Sequence, residues 1–312
     1  MWRDVEPRAP QRERAELAQG SRGGTTPMAV EVTGAGRDPL TRDLDLPRGR
    51  AREWVHVAGR EYHLSGEDVR TLATVGAFRV ASAGDLGARS THWPTRPSRA
   101  VERLREDGLV RTMPHVIGKE RTTVVTLTER GRELLERHQR PTSGEGRQAF
   151  HAGVSKPREV AHDTRLYPAY LKAVERLEAR GARVQRVVLE EDLKSRYQRF
   201  LQDGNRGRHD STGRPTRSRE DVEAWAREHR LPCENGHVQF PDVRLEIEER
   251  DGRREVEDLE VVTPHYRGAH AAAKARSGFS RSGAVGARLG GSGGGRGGGR
   301  GRSSHLAEEM LP

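Results

Sequence analysis

An α+β protein with disordered ends is the fold class this sequence predicts, and three observations predict it. Apolar residues recur at helical spacing within Glu67–Ala77 and again from Leu166 to Leu177. Two pairs of β-rich runs follow these helices, Leu109–Val116 with Arg121–Leu127 and Val238–Glu248 with Arg254–Val262, each joined by a turn signal. Only 32% of the 312 residues are hydrophobic and 33% are charged, so a large part of the chain cannot lie in a core. Residues 1–50 and 280–312 have no sustained apolar period and cannot repay the entropy of ordering. The expected organisation is a tail (1–50), a first domain (51–140), a linker (141–160), a second domain (161–279) and a Gly/Arg tail (280–312).

The elements of the first domain are legible in order. Trp54-Val55-His56-Val57 and Tyr62-His63-Leu64 alternate as a short strand pair. Val69, Leu72, Ala73, Val75 and Ala77 mark a first helix, and Ser82–Leu86 is a short second one entered through Ser82. Thr95 or Ser98 caps a third, whose Ala100, Val101 and Leu104 share one face while Arg96, Arg99 and Arg103 share another. Gly108 stops it. Leu109–Val116 and Arg121–Leu127 then pair through a turn at Ile117-Gly118-Lys119-Glu120, and a closing helix follows Thr128. Helix, short helix, arginine-bearing helix and hairpin in this order read as a winged helix-turn-helix.

Asp107-Gly108-Leu109-Val110 followed, after the hairpin, by Leu127-Thr128-Glu129-Arg130-Gly131-Arg132-Glu133-Leu134-Leu135 resembles the MarR-like winged-helix proteins. The resemblance implies double-stranded DNA as partner. The third helix would enter a major groove, where Arg96, Arg99 and Arg103 reach bases or phosphates, and Lys119 and Arg121 of the wing would grip the flanking backbone. A winged helix used only for protein packing is the competing reading.

In the second domain, Leu166, Tyr170, Leu171, Val174 and Leu177 mark a helix ending near Gly181, and Arg183–Leu189 reads as a strand. Glu190, Glu191 and Asp192 follow at once, then a helix with Leu193, Tyr197, Phe200 and Leu201, a loop at 203–218, and a helix around Val222 and Trp225. A hairpin with a type I′ signal at Asp251-Gly252 joins Val238–Glu248 to Arg254–Val262, and Tyr266–Arg276 is expected as the next helix. No fourth strand is recognisable after it.

This order puts Pro241-Asp242 at the start of one strand, Glu260 on its neighbour, Glu191 after the first strand and Lys274 on the last helix, which is the PD-(D/E)xK nuclease arrangement in outline. Such chemistry needs carboxylates around a divalent cation, with a lysine to orient water or neutralise charge. Asp242 and Glu260 are the candidate Mg²⁺ or Mn²⁺ ligands, and Glu191, Asp242, Glu260 and Lys274 the candidate catalytic set. Val262 stands where the lysine two residues after the acid would be, a departure that argues against cleavage. The bland reading makes the acids solvent-facing strand residues and Lys274 an ordinary helix lysine. His162-Asp163 is read as a helix start capped by Asp163 rather than a metal site.

With the winged helix in front, the motifs Val160-Ala161-His162-Asp163, Glu190-Glu191-Asp192-Leu193-Lys194, Phe240-Pro241-Asp242-Val243, Glu257-Asp258-Leu259-Glu260 and Lys274-Ala275-Arg276-Ser277-Gly278-Phe279 resemble the replication-relaxation family of plasmid and integrative-element proteins. The resemblance spans residues 65–280. It implies a DNA-binding role in replication or mobilisation; relaxase or replication proteins and a second copy of the chain are candidate further partners. A metal-dependent DNA endonuclease and a MarR-like transcriptional regulator are the alternatives.

The net charge of +10 suits a polyanionic partner, but the basic residues are nearly all Arg, with Lys only at Lys119, Lys156, Lys172, Lys194 and Lys274. Such a bias reads as GC-rich coding, so the placement of charges weighs more than their sum. The lone Cys233 excludes an internal disulfide and a multi-thiolate metal site. With no signal-peptide pattern and no long apolar run, a cytoplasmic protein with no membrane partner is expected. Met28 offers an alternative start, and the Gly/Arg tail offers nonspecific nucleic-acid contact or simple solvation.

Overall fold

The structure is a computed structural model that describes residues 38–87, 98–117, 120–141, 146–154, 156–204, 217–262 and 277–283. It is a mixed α+β molecule. Among the described residues no helix is long and apolar enough to cross a membrane.

Strands β1 (Glu53–Val57) and β2 (Arg60–Leu64) form an antiparallel pair, with Val55 opposite Tyr62 and both buried. Helix α1 (Gly66–Phe78) begins at a capping box, in which Asp68 accepts from the Ser65 amide at 2.9 Å and the Ser65 hydroxyl at 2.6 Å. Asp68 is fully buried and also accepts from Arg103 Nη2 at 2.7 Å. Burial pushes its carboxyl up, but the bonds from Ser65 and Arg103 outweigh that and hold it below the usual range.

After α1 come β3 (Ala81–Ser82), α2 (Ala83–Gly87) and α3 (Arg99–Glu106). Ser98 caps α3, accepting from the Val101 amide at 3.4 Å, and Ala100, Val101 and Leu104 are its buried face. Strands β4 (Val110–Ile117) and β5 (Glu120–Leu127) form the hairpin, and β3 pairs with β5 to give the sheet order β3-β5-β4. Helix α4 (Glu129–Arg137) shows why its motif carries Thr and Gly. The Thr128 hydroxyl donates to Gly108 O at 2.7 Å and accepts from the Gly131 amide at 3.2 Å, and a Cβ at Gly131 would collide with the Leu109 carbonyl.

The second part opens with α5 (Val160–Asp163) and α6 (Leu166–Ala179), then β6 (Arg183–Leu189), α7 (Glu190–Asp203) and α8 (Arg219–Glu228). A small hairpin, β7 (Cys233–Glu234) with β8 (His237–Val238), turns at Asn235 and Gly236, both at positive φ. Asn-Gly is a strong hairpin signal that the single run from Val238 to Glu248 overlooks. Strands β9 (Val243–Glu248) and β10 (Arg254–Val262) pair antiparallel. Their turn is not type I′. Gly252 N bonds Glu249 O at 2.9 Å, and of the turn residues only Gly252 has positive φ, so the connection is a three-residue loop with Gly252 in the left-handed region.

Strand β11 (Ser280–Gly283) lies parallel to β10, with Glu260 beside Arg281 in the register, and the sheet order is β11-β10-β9-β6. A fourth strand therefore exists, inside the stretch expected as tail. A parallel pair needs a crossover, and the expected helix Tyr266–Arg276 falls in that connection but outside the described residues.

Two further expectations are corrected by the packing. Leu40, Leu44 and Leu46 are buried, and the chain around Leu44 bridges Gln139, so residues 38–50 belong to the core rather than to a tail. The stretch 146–154 is not a free linker. His151 N donates to Gly76 O and Gly153 N to Leu127 O, both at 2.9 Å, and Phe150 is buried. Gln148 exchanges two hydrogen bonds with the Val187 backbone, at 3.0 and 2.9 Å, which satisfies the open edge of β6. One apolar core runs through both parts, with Phe78 set between Tyr167 and Tyr170 at ring separations of 5.3 and 5.1 Å.

Candidate functional site

Two regions take up the residues singled out in the sequence. The first is α3 with the β4–β5 hairpin. Arg99 and Arg121 are exposed, as are Arg105 and Arg111. Arg103 is not one of the free arginines, because its guanidinium is tied to buried Asp68 and joins α3 to α1. Glu102 and Glu106 are exposed on the same helix, so its outer surface carries both signs. Arg96 and Lys119 lie outside the described residues.

The second region is the end of the four-stranded sheet where β6 passes into α7. The register that pairs Leu259 with Val243 and Val243 with Leu189 brings Glu260, Asp242 and Glu190 to one row, and Glu190 N bonds Asp242 O at 3.1 Å. Asp242 and Glu260 are 6% and 2% exposed, so neither is a solvent-facing strand residue. Asp242 Oδ2 accepts the Val261 amide at 2.8 Å and stands 3.2 Å from His162 Nε2.

His162 is the centre of charge here. Its Nδ1 lies 3.3 Å from Asp163 Oδ1, so the ring sits between two carboxylates. Burial works against the charged ring, but the hydrogen bonds and negative charge of Asp163 and Asp242 outweigh it and push its pKa up to about 10. The imidazolium is therefore the form present at neutral pH. Asp163 is not a helix cap, since the N-cap of α6 is Arg165, with no side-chain cap bond. It is instead the joint between His162 and Arg79, whose Nη1 lies 3.8 Å away.

Arg79 is the residue that sequence reasoning missed. It ends α1 with φ of 64°, a strained conformation for a non-glycine residue, and its buried guanidinium pairs with both Asp163 and Glu191. No local signal marks it among 56 Lys and Arg residues, because its role depends on partners that fall far away in the chain. Glu191 is thus brought to the site, but as a partner of Arg79. Lys274 lies outside the described residues.

These carboxylates have the chemistry for a divalent cation, and cationic side chains already stand beside several of them. Positive charge already comes from His162 and Arg79, and Asp242 Oδ2 is taken up by an amide and an imidazolium. Among the described residues no group of three or more His, Cys, Asp or Glu is arranged to hold a metal ion. What the arrangement does is hold His162 between Asp163 and Asp242 and tie Arg79, at the end of α1, to Asp163 of α5 and Glu191 of α7. Removing one partner would leave an uncompensated buried charge, which is costly.

In comparisons with protein-family models, curated proteins and solved structures, nothing matches this chain.

Proposed function

We propose that the chain is a DNA-binding protein of a plasmid or integrative element, engaging duplex DNA through α3 and the β4–β5 hairpin as a winged helix. The observation that carries the reading is the element order α1, β3, α2, α3, β4, β5 with strands ordered β3-β5-β4, in which α3 buries Ala100, Val101 and Leu104 and leaves Arg99 outside. A helix held in this way can lie in a major groove while the hairpin follows the backbone. The exposed Arg121 on β5 supports the second contact. The setting in replication or mobilisation rests on the family resemblance in the sequence motifs, with relaxase or replication proteins and a second copy of the chain as candidate partners.

Binding measured by fluorescence anisotropy tests this. Arg99→Ala should weaken binding to a preferred site by about 1–3 kcal/mol if it reads guanine, and Arg121→Ala should weaken all duplexes and reduce the salt slope by about 1. Unchanged affinity and slope in both variants would sink the proposal.

A metal-dependent endonuclease is the second reading, and β11 favours it by supplying the fourth strand of a nuclease-like sheet. The site geometry favours a binding module instead, because His162 already stands against Asp242 and Arg79 against Asp163 and Glu191. Supercoiled plasmid incubated with Mg²⁺ or Mn²⁺ should stay intact. Nicking that disappears in both Asp242→Ala and Glu260→Ala would establish the enzyme.

A further inference from the structure

Away from both regions, a cavity of about 900 Å³ lies between the four-stranded sheet, α7 and the C-terminal end of α8. Arginines line it from several elements, including Arg186 on β6, Arg196 and Arg199 on α7, Arg244 on β9 and Arg254 on β10. Most carboxylates at its wall are already used. Glu246 holds Arg186, Glu248 accepts from Gln185, and Glu255 pairs with Arg253. Arg244 is likewise spent, on Asp258 and on the carbonyls of His229 and Arg230.

The remaining guanidinium groups form a surplus. Arg186 is more than nine-tenths buried, and Glu246 takes only its Nε and Nη2. Its Nη1 is buried without a hydrogen-bond partner among the described residues, against Gly146, where a Cβ would collide with the guanidinium. Such an orphaned donor on a charged group calls for an acceptor. Arg196 is half-buried and makes no hydrogen bond or salt bridge among the described residues. Burial and the neighbouring charge of Arg186 both hold its pKa below the usual arginine range, so its surroundings disfavour the positive charge as they stand. An anion would remove that penalty.

We propose that this cavity binds a phosphate-bearing anion, held by Arg186 and Arg196 with the exposed Arg199 as an outer contact. Guanidinium groups match phosphate oxygens in paired hydrogen bonds, and a group with two or more negative charges offsets two adjacent cations better than a single carboxylate does. The cavity is large enough for a nucleotide-sized ligand. A free phosphoester and a backbone phosphate of DNA present the same chemistry. The site is independent of the α3 contact and stands whether or not α3 binds DNA.

Thermal unfolding of the full chain in pyrophosphate, against sodium chloride of equal ionic strength, tests the site. Pyrophosphate should raise the midpoint by about 5 °C at a hundredfold excess over Kd, beyond the salt control. Arg196→Gln should abolish the rise without lowering the midpoint of the unliganded protein, since it removes a half-buried, unpaired charge. Arg199→Gln, at an exposed position, should reduce it and keeps the test open if Arg196→Gln does not fold. No rise over the salt control, or an equal rise in the variants, would overturn the proposal. Duplex DNA added to Arg99→Ala protein identifies the source. Competition with pyrophosphate points to backbone phosphate and its lack to a free phosphoester, and either result supports the site.

Discussion

A fragment covering residues 51–279 should unfold far below one covering residues 38–283. The shorter fragment loses Leu40, Leu44 and Leu46, each buried to 8% exposure or less, together with strand β11. Burying a leucine side chain contributes about 1.5–3 kcal/mol, so the three together supply roughly 6 kcal/mol, a large share of a total stability of about 5–15 kcal/mol. For a chain of this size that amounts to about 10–20 °C in Tm. The loss extends beyond apolar contact. Asp45 N bonds His138 O at 2.7 Å and Arg140 N bonds Asp43 O at 2.8 Å, so residues 43–45 also anchor the end of α4. Differential scanning calorimetry of the two fragments decides the matter, and midpoints within a few degrees of each other would show that the 38–50 segment is peripheral.

The second large effect is a pH dependence centred on His162. Its folded pKa, raised to about 10 by Asp163 and Asp242, lies above the ordinary value of 6.5. The unfolded chain therefore binds fewer protons between these values, and stability falls as pH rises. The contribution is fully present below pH 6.5, provided the carboxylates are ionised, and is lost as pH climbs through about 10. With about 1.4 kcal/mol per pKa unit it can reach about 5 kcal/mol. Urea unfolding of the wild type and His162→Gln at pH 6, 8 and 10 should show the gap between them narrowing steadily. A gap that stays constant over this range would mean that the ring is not a buried imidazolium.

The residues at this site show how far local reasoning reaches. Asp242 and Glu260 stand out in the sequence because one precedes a strand and the other lies on its partner, and the register does bring them to one row. Their electrostatic setting was not legible. His162 is separated from Asp242 by 80 positions and Arg79 lies farther still from Glu191, so no spacing rule connects them. Arg103 illustrates the same limit from the other side. Its helical position groups it with Arg99, yet it faces Asp68 of α1, 35 positions earlier, and serves the fold.

What the sequence by itself determined is the set of features written within a few residues. Ser65, Ser98, Thr128 and Ser218 each cap the helix that follows, because the cap hydroxyl and the amide it accepts are three positions apart. The apolar faces of α3 and α6 and the pairing of β4 with β5 are similarly encoded by period and turn. Tertiary structure alone decided what depends on distant partners. It decided that three leucines of the 38–50 segment enter the core, that Gln148 closes the edge of β6, and that Ser280–Gly283 completes a sheet although its Ser/Arg/Gly composition carries no strand signal. It also decided which of 56 basic and 46 acidic residues pair with one another. Caps and periods are short-range, so composition and spacing reveal them. Ion pairs, edge closure and parallel pairing are made between segments that meet only after the chain has folded, and burial then sets how much each is worth.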